Sequence, residues 1–193
     1  KGQWQIGRPW KGAILLIAIP VVVLGIRQLY GYMLMEQGEK YAFGGQLNKA
    51  TDIYQKATPI LKDNGIFHFY YGSALSLKKE YNRAIEELEL SCQKSSNPSS
   101  FLLLGNDYKE TGKHEKAKGA YLTVINMIPS KLYPKYLLAK LFIGDKEYEE
   151  AKKWADIILN TPEKIPTTAG QEIKAEMRTF LQSNYKSLNN KRQ

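Results

Sequence analysis

Two hydrophobic patterns divide the chain. Residues 12–26 read GAILLIAIPVVVLGI, with no charge and no polar face, so they are predicted to form a helix that is apolar all round. From about residue 30 onward apolar positions recur at helical spacing, and no two-residue alternation competes, so every later segment is predicted helical. Lys11 and Trp10 on one side of the apolar run, and Arg27, Tyr30 and Tyr32 on the other, are distributed as membrane-interface residues are. Ten of the fifteen residues are Ile, Leu or Val, together worth about −3 to −6 kcal/mol of insertion free energy. The run is shorter than the usual span of about 20 residues, so it crosses a bilayer only if Arg27 snorkels and Leu29 to Met35 continue the helix.

A transmembrane helix is therefore expected at about residues 12–29, with the membrane as its partner. A signal peptide would show a small-x-small cleavage pattern where this chain has Arg27-Gln28-Leu29-Tyr30, and a buried core helix would show a polar face. Lys1, Arg8 and Lys11 put the N-terminal side in the cytoplasm by the positive-inside tendency. With no initiator Met, and with Trp4 and Trp10 already leading into the apolar run, the sequence reads as part of something longer.

The helical body repeats. Gly38, Gly72, Gly105 and Ala139 lie 34, 33 and 34 residues apart, and Ala50, Ala84, Ala117 and Ala151 follow each of them by twelve residues. Small residues kept at two points in each unit are what two closely crossing helices need. Gly44-Gly45, Lys79-Glu80, Gly112-Lys113 and Gly144-Asp145 fall where the two helices of each unit would turn. After Pro162 and Pro166, Thr168-Ala169-Gly170-Gln171 has capping-box spacing, and Ile173, Met177, Phe180 and Leu181 share one helical face. This is the expected capping helix, which covers the apolar end of an open repeat stack.

The period resembles the tetratricopeptide repeat. Tyr41 and Tyr108, Tyr54 and Tyr121, and Pro129 stand at its larger positions, whereas Leu75, Phe142, Leu88 and Ala155 depart from it. The implied fold is all-α: a tetratricopeptide (TPR) superhelix preceded by one transmembrane helix. Its expected parts are a cytoplasmic flank and span at 1–29, repeats at 30–64, 65–97, 98–131 and 132–162, and a capping helix with a basic tail at 163–193. The resemblance assigns a binding groove to first-helix positions that here include Tyr32, Met35, Phe69, Ser73, Asn106, Lys109, Tyr133, Tyr136 and Lys140, with Glu39, Ile66, Ser76 and Leu102 among them. Leu102 stands where a carboxylate clamp would need Lys one turn before Asn106, which disfavours recognition of chaperone tails. Tyr133 and Tyr136 suit stacking on a sugar or peptide, and Lys109 and Lys140 would attract an acidic group.

Charge changes this picture little. The net charge is +9, of which residues 1–29 and 186–193 supply +7, so residues 30–185 carry no long-range basic field and nucleic acid is not an expected partner. His68 and His114 fall in different repeats with no second imidazole or thiol at ligand spacing, so no metal is expected. Gly105 and Gly112-Lys113 lack phosphate-loop spacing. Glu86, Glu87, Glu89, Glu149 and Glu150 lie among Lys and Arg on second helices, where a solvated face is expected, and Cys92 reads as a small buried hydrophobe. No residue is offered as catalytic, and no cofactor is expected.

Three segments carry a narrower resemblance: TPILKDNGIFHFYYG at 58–72, LLLGNDYKETGKHEKAKGAYLTVINMIPSKLYPKYLLAKLF at 102–142, and KIPTTAGQEIKAEM at 164–177. With the apolar helix ahead of them, they resemble the C-terminal tail of the O-antigen ligase and polymerase family of Bacteroidetes. The resemblance implies a bacterial inner-membrane protein that transfers lipid-linked glycans, with residues 12–29 as its final span and the repeats in the periplasm. The catalytic loops of that family lie between earlier helices and match nothing here. Three functions follow as expectations: a periplasmic interaction module of such an enzyme, a stand-alone membrane-tethered adaptor for protein partners, or a domain whose groove binds glycan.

Overall fold

The computed structural model describes residues 9–163 and 165–190, with side chains described over 18–163 and 165–183. Among the described residues there are nine helices and no strand: α1 (Pro9–Phe43), α2 (Leu47–Leu61), α3 (Gly65–Leu77), α4 (Tyr81–Lys94), α5 (Pro98–Glu110), α6 (His114–Met127), α7 (Leu132–Gly144), α8 (Tyr148–Asn160) and α9 (Thr168–Asn190). They form four antiparallel hairpins, α1 with α2 through α7 with α8, followed by α9, which packs on α8 and touches α7.

The glycines of the repeat explain how closely each pair crosses. A Cβ on Gly38 would fall 2.6 Å from the Tyr54 ring, one on Gly105 would fall 2.6 Å from the Tyr121 ring, and one on Gly72 would fall 2.8 Å from Leu88 Cγ. In the fourth hairpin Ala139 and Ala155 belong to one fully buried cluster, which Met177 of α9 completes. The second small series, Ala50, Ala84, Ala117 and Ala151, is completely buried.

Each hairpin turns through one left-handed residue, Gly45 (φ 73°), Lys79 (φ 63°), Gly112 (φ 71°) and Lys146 (φ 63°). The next amide then reaches back to the carbonyl five residues earlier: Gln46 to Tyr41, Glu80 to Leu75, Lys113 to Tyr108 and Glu147 to Phe142, at 2.8–2.9 Å. That bond satisfies a terminal carbonyl of the first helix. In the fourth hairpin the special residue is thus Lys146 rather than Gly144, where a Cβ would meet open space.

The connections between hairpins use side-chain caps. Asn64 Oδ1 accepts from the amides of Ile66 and Phe67, and Asn97 Oδ1 accepts from Ser99 ahead of α5, which has Pro98 in its first turn. α9 departs from expectation by one residue. Thr167, not Thr168, caps it, its Oγ1 accepting from Gly170 N at 3.0 Å, so the Thr168–Gln171 box does not form.

α1 is one continuous helix of 35 residues. Its C-terminal part packs on α2, but Ile19, Val21, Val22, Val23, Leu24, Ile26 and Leu29 are 56–63% exposed. A core helix would bury such side chains, and the described part of the apolar run does not bury them in this chain. α1 is long and apolar enough to cross a membrane. Residues 12–17 of the expected span have a described backbone only, and residues 1–8 and 191–193, with most of the two basic ends, lie outside the described residues.

Candidate binding groove

The first helices of the hairpins lie side by side, with α1 against α3, α3 against α5, and α9 extending the row beyond α7. This face carries the residues assigned to the groove, and the structure divides them into three sets.

Near the start, Tyr32 is 42% exposed and its hydroxyl accepts a long hydrogen bond, 3.4 Å, from Asn64 Nδ2. Met35 packs half-buried on the first core cluster, and Phe69 packs on the second with its ring 5.6 Å from Tyr70. Ser73 Oγ donates to the Phe69 carbonyl at 2.7 Å, so its hydroxyl serves its own helix.

In the middle, Asn106 Oδ1 accepts from Tyr121 OH at 2.8 Å, a bond that ties α5 to α6. Lys109, about half exposed, pairs with Glu110 at 3.3 Å. Ser76 of α3 donates to Asp107 Oδ1 of α5 at 2.6 Å, linking two hairpins. Asp107 is 1% exposed and its Oδ2 has no partner. Burial pushes its carboxyl up to about 6.

At the far end Tyr133, Tyr136 and Lys140 come together. The two rings lie 6.4 Å apart and tilted by 30°, and Tyr133 is 50% exposed. Tyr136 OH donates to Oε2 and Lys140 Nζ to Oε1 of Glu176, which comes from α9, each at 2.7 Å. The Lys140 ammonium also stands 5.9 Å from the centre of the Tyr136 ring. The two hydrogen bonds hold the Glu176 carboxyl below its usual range, while the bond to Glu176, with burial, pushes the Tyr136 phenol up to about 12. Lys140, expected to attract an acidic group, is thus already paired with one from the chain itself. No sequence signal marks Glu176, because its partners are 36 and 40 positions away and meet it only after α9 docks.

Two acids expected on a solvated face are engaged instead. Glu89 accepts from Tyr108 OH, and Glu87 Oε2 lies 2.6 Å from Nδ1 of His68, a residue 2% exposed. Nε2 of His68 lies 2.8 Å from the Lys62 carbonyl oxygen. Both ring nitrogens therefore face acceptors, and only the imidazolium satisfies both. These bonds outweigh burial and raise the pKa of His68. His114 pairs with Asp145, and Lys118 lies between Asp145, Glu115 and Glu147, tying the third hairpin to the fourth.

Reaction chemistry finds little here. Among the described residues no three His, Cys, Asp or Glu side chains converge as a metal site. Burial pushes the Cys92 thiol up to about 12, which makes it a poor nucleophile at neutral pH.

No protein-family model matches the chain, and no curated protein does. Solved structures do. The crystal structure of MamA superposes with a TM-score of 0.65 at 22% identity over 76% of this chain and 81% of that one. A tetratricopeptide repeat protein from Parabacteroides merdae gives 0.62 at 22% identity, over 77% of this chain and 60% of that one. The first TPR domain of Spaghetti (RPAP3), solved with the HSP90 peptide SRMEEVD, gives 0.57 at 23% identity, over 59% of this chain and 91% of that one. The fold is that of a tetratricopeptide-type helical-repeat stack.

Proposed function

We propose that this chain is a membrane-anchored TPR scaffold that holds a protein partner against the face lined by α1, α3, α5 and α7. The observation that carries the reading is α1, which is both the first helix of the stack and an exposed apolar rod. Water does not tolerate a row of seven uncovered large aliphatic side chains on a monomer without a lipid or protein to cover it. From Pro9 to Gln28 the rod is about 30 Å long, the thickness of a hydrocarbon core.

The narrower context is the periplasmic C-terminal domain of an O-antigen ligase- or polymerase-like inner-membrane protein. It is supported by the three sequence segments quoted above and by the cluster of basic residues ahead of the span. The structural relative bound to a peptide supports a peptide-sized partner. A groove for glycan is favoured by one observation, the exposed Tyr133 ring beside Tyr136.

Flotation with phospholipid vesicles tests the anchor. The full chain is expected to float and residues 30–193 to stay in solution; a full chain that stays in solution without detergent removes the membrane from the function. The groove is best tested at Lys109 and Tyr133. Tyr136→Ala or Lys140→Ala would also release Glu176 and confuse groove with fold. In a Lys109→Ala, Tyr133→Ala variant with unchanged circular dichroism, lipid-linked glycan products in the source cell are expected to fall or change in length. Normal products would leave the repeats as a spacer. Several further spans encoded ahead of Lys1 would support a multi-spanning parent, and their absence would favour the stand-alone adaptor.

A further inference from the structure

The stack has two edges. Turns within hairpins, at 44–46, 78–80, 111–113 and 145–147, make one, and connections after each hairpin, at 62–64, 95–97, 128–131 and 161–163 with 165–167, make the other. α1 leaves the stack at the connection edge, since its apolar half precedes the part of the helix that pairs with α2. The point of departure is sharply defined. Gly31 backs onto α2 so closely that a Cβ would lie 2.6 Å from Ile60 Cγ2, and one turn earlier Arg27 Nη2 donates to the Pro59 carbonyl at 2.9 Å. Before Arg27 the described side chains of α1 are all exposed.

We propose that the connection edge of the first two hairpins, presented by Arg27, Tyr30, Lys62 and Ile66, rests on the headgroup layer of an anionic phospholipid bilayer. This rests on α1 crossing the membrane, and it goes further by stating which surface of the repeat body the lipid meets. Three features carry it. First, no linker separates rod from body: the helix runs unbroken from Pro9 to Phe43, so the body cannot swing away from the surface. Second, the polar layer outside the hydrocarbon is only about 5–8 Å deep on each side. With Arg27 at its inner boundary, the 62–64 connection lies within that depth, because α2 ends at Leu61 against Gly31 and Asn64 reaches Tyr32 OH.

Third, the side chains suit the layer. The Arg27 guanidinium spends one donor on Pro59 and keeps others for phosphate. Lys62 is exposed, and its neighbour Asp63 is already neutralised by Lys94 at 2.7 Å. Tyr30 and Ile66 are 54% and 55% exposed, an aromatic and an aliphatic group at interface depth. The opposite edge is about 20 Å away, at the other end of helices of 13–15 residues, where Phe43 is 98% exposed. The first hairpin then stands along the membrane normal and the stack extends sideways over the surface, which holds the groove face beside the bilayer.

The test uses the full chain in nanodiscs of phosphatidylglycerol and phosphatidylcholine, with single cysteines carrying a fluorophore in a Cys92→Ala or Cys92→Ser background of unchanged circular dichroism. Probes at Lys62→Cys and Ile66→Cys are expected to be quenched severalfold more by headgroup-spin-labelled lipid than probes at Phe43→Cys and Lys113→Cys. Equal quenching at the two edges overturns the proposal. A probe at Val22→Cys, read with acyl-chain-labelled lipid, separates the causes. Quenching there together with equal edges removes the docking edge and leaves the span, whereas no quenching there removes both.

Discussion

The odd and even hairpins reach the same crossing by different means. In α1–α2 and α5–α6 a glycine faces a tyrosine ring, Gly38 against Tyr54 and Gly105 against Tyr121, and a glycine makes the turn, Gly45 and Gly112. In α3–α4 and α7–α8 the large partner shrinks to Leu88 and then to Ala155, the fourth glycine becomes Ala139, and lysines occupy the left-handed turn position. The crossing constrains the summed volume of the two facing positions, not either residue alone. Where Ala139 and Ala155 leave room, Met177 of α9 fills the cluster. The degenerate fourth hairpin therefore depends on the capping helix in a way that the third does not.

The largest effect is expected where that volume is already spent. Gly105→Leu drives a side chain into a Tyr121 ring whose hydroxyl is pinned to Asn106, and overpacking of this kind costs about 3 kcal/mol or more. Its thermal transition by circular dichroism should fall sharply or vanish. Ala155→Leu should cost about 1–3 kcal/mol, and Ala139→Gly added to it should recover part of that loss by recreating the Gly72–Leu88 arrangement. Additive costs in the double variant would show that the two positions do not share volume.

A smaller effect separates the second hairpin by pH. The folded pKa of His68 lies above its ordinary value of 6.5. Its contribution is therefore fully present below about pH 6.5 and lost as pH rises through the folded pKa. Asp107 acts in the same direction at lower pH, since its carboxyl rises from 3.8 to about 6 and the folded state keeps a proton that the unfolded chain releases. Stability should thus decline as pH rises from the acid side through the folded pKa of His68. In His68→Gln the upper part of that decline should disappear, with a loss at pH 6 of about 1–3 kcal/mol, the cost of leaving a buried acceptor unmatched. An unchanged pH profile of urea unfolding would assign the decline elsewhere.

The two odd hairpins differ from each other in one hydroxyl. Tyr121 OH has Asn106, but Tyr54 OH is buried with no partner, while Glu39, at the position equivalent to Asn106, bonds the Tyr70 phenol. Tyr121→Phe should cost about 1 kcal/mol, whereas Tyr54→Phe should be neutral or stabilising. Equal losses in chemical denaturation would mean that Tyr54 OH is satisfied in solution.

Much of this architecture is legible in the chain, because a repeated close crossing leaves small residues at a fixed period, and Gly38, Gly72, Gly105 and Ala139 state it directly. The left-handed turns are legible at Gly45 and Gly112 but hidden at Lys79 and Lys146, where hydrogen bonding of the preceding helix end overrides residue preference. Cap positions one residue apart, Thr167 and Thr168, carry the same side chain and cannot be separated by type. The groove is legible as a face, since helical spacing puts Tyr133, Tyr136 and Lys140 together. Its occupancy by Glu176 and the pairing of His68 with Glu87 depend on how separate helices dock, which no local pattern encodes.

The smallest effect concerns those two lysines. A non-glycine residue in the left-handed region brings its Cβ too close to a carbonyl oxygen, at a cost of about 1 kcal/mol or slightly more. Lys79 and Lys146 carry that cost at φ 63°, whereas Gly45 and Gly112 do not. Replacing either lysine by glycine relieves the strain but gives the unfolded chain more freedom, and the two effects partly cancel. Lys79→Gly and Lys146→Gly should each stabilise the fold by about 0.5 kcal/mol, seen as a slightly higher denaturation midpoint with an unchanged slope. The reverse substitution, Gly112→Lys, meets no neighbour within 4 Å of the new Cβ, so its cost isolates backbone strain from packing. It should destabilise by about 1 kcal/mol. If Gly112→Lys were neutral and both lysine-to-glycine changes destabilising, the turn would be indifferent to residue type, and the odd and even hairpins would differ only where their helices cross.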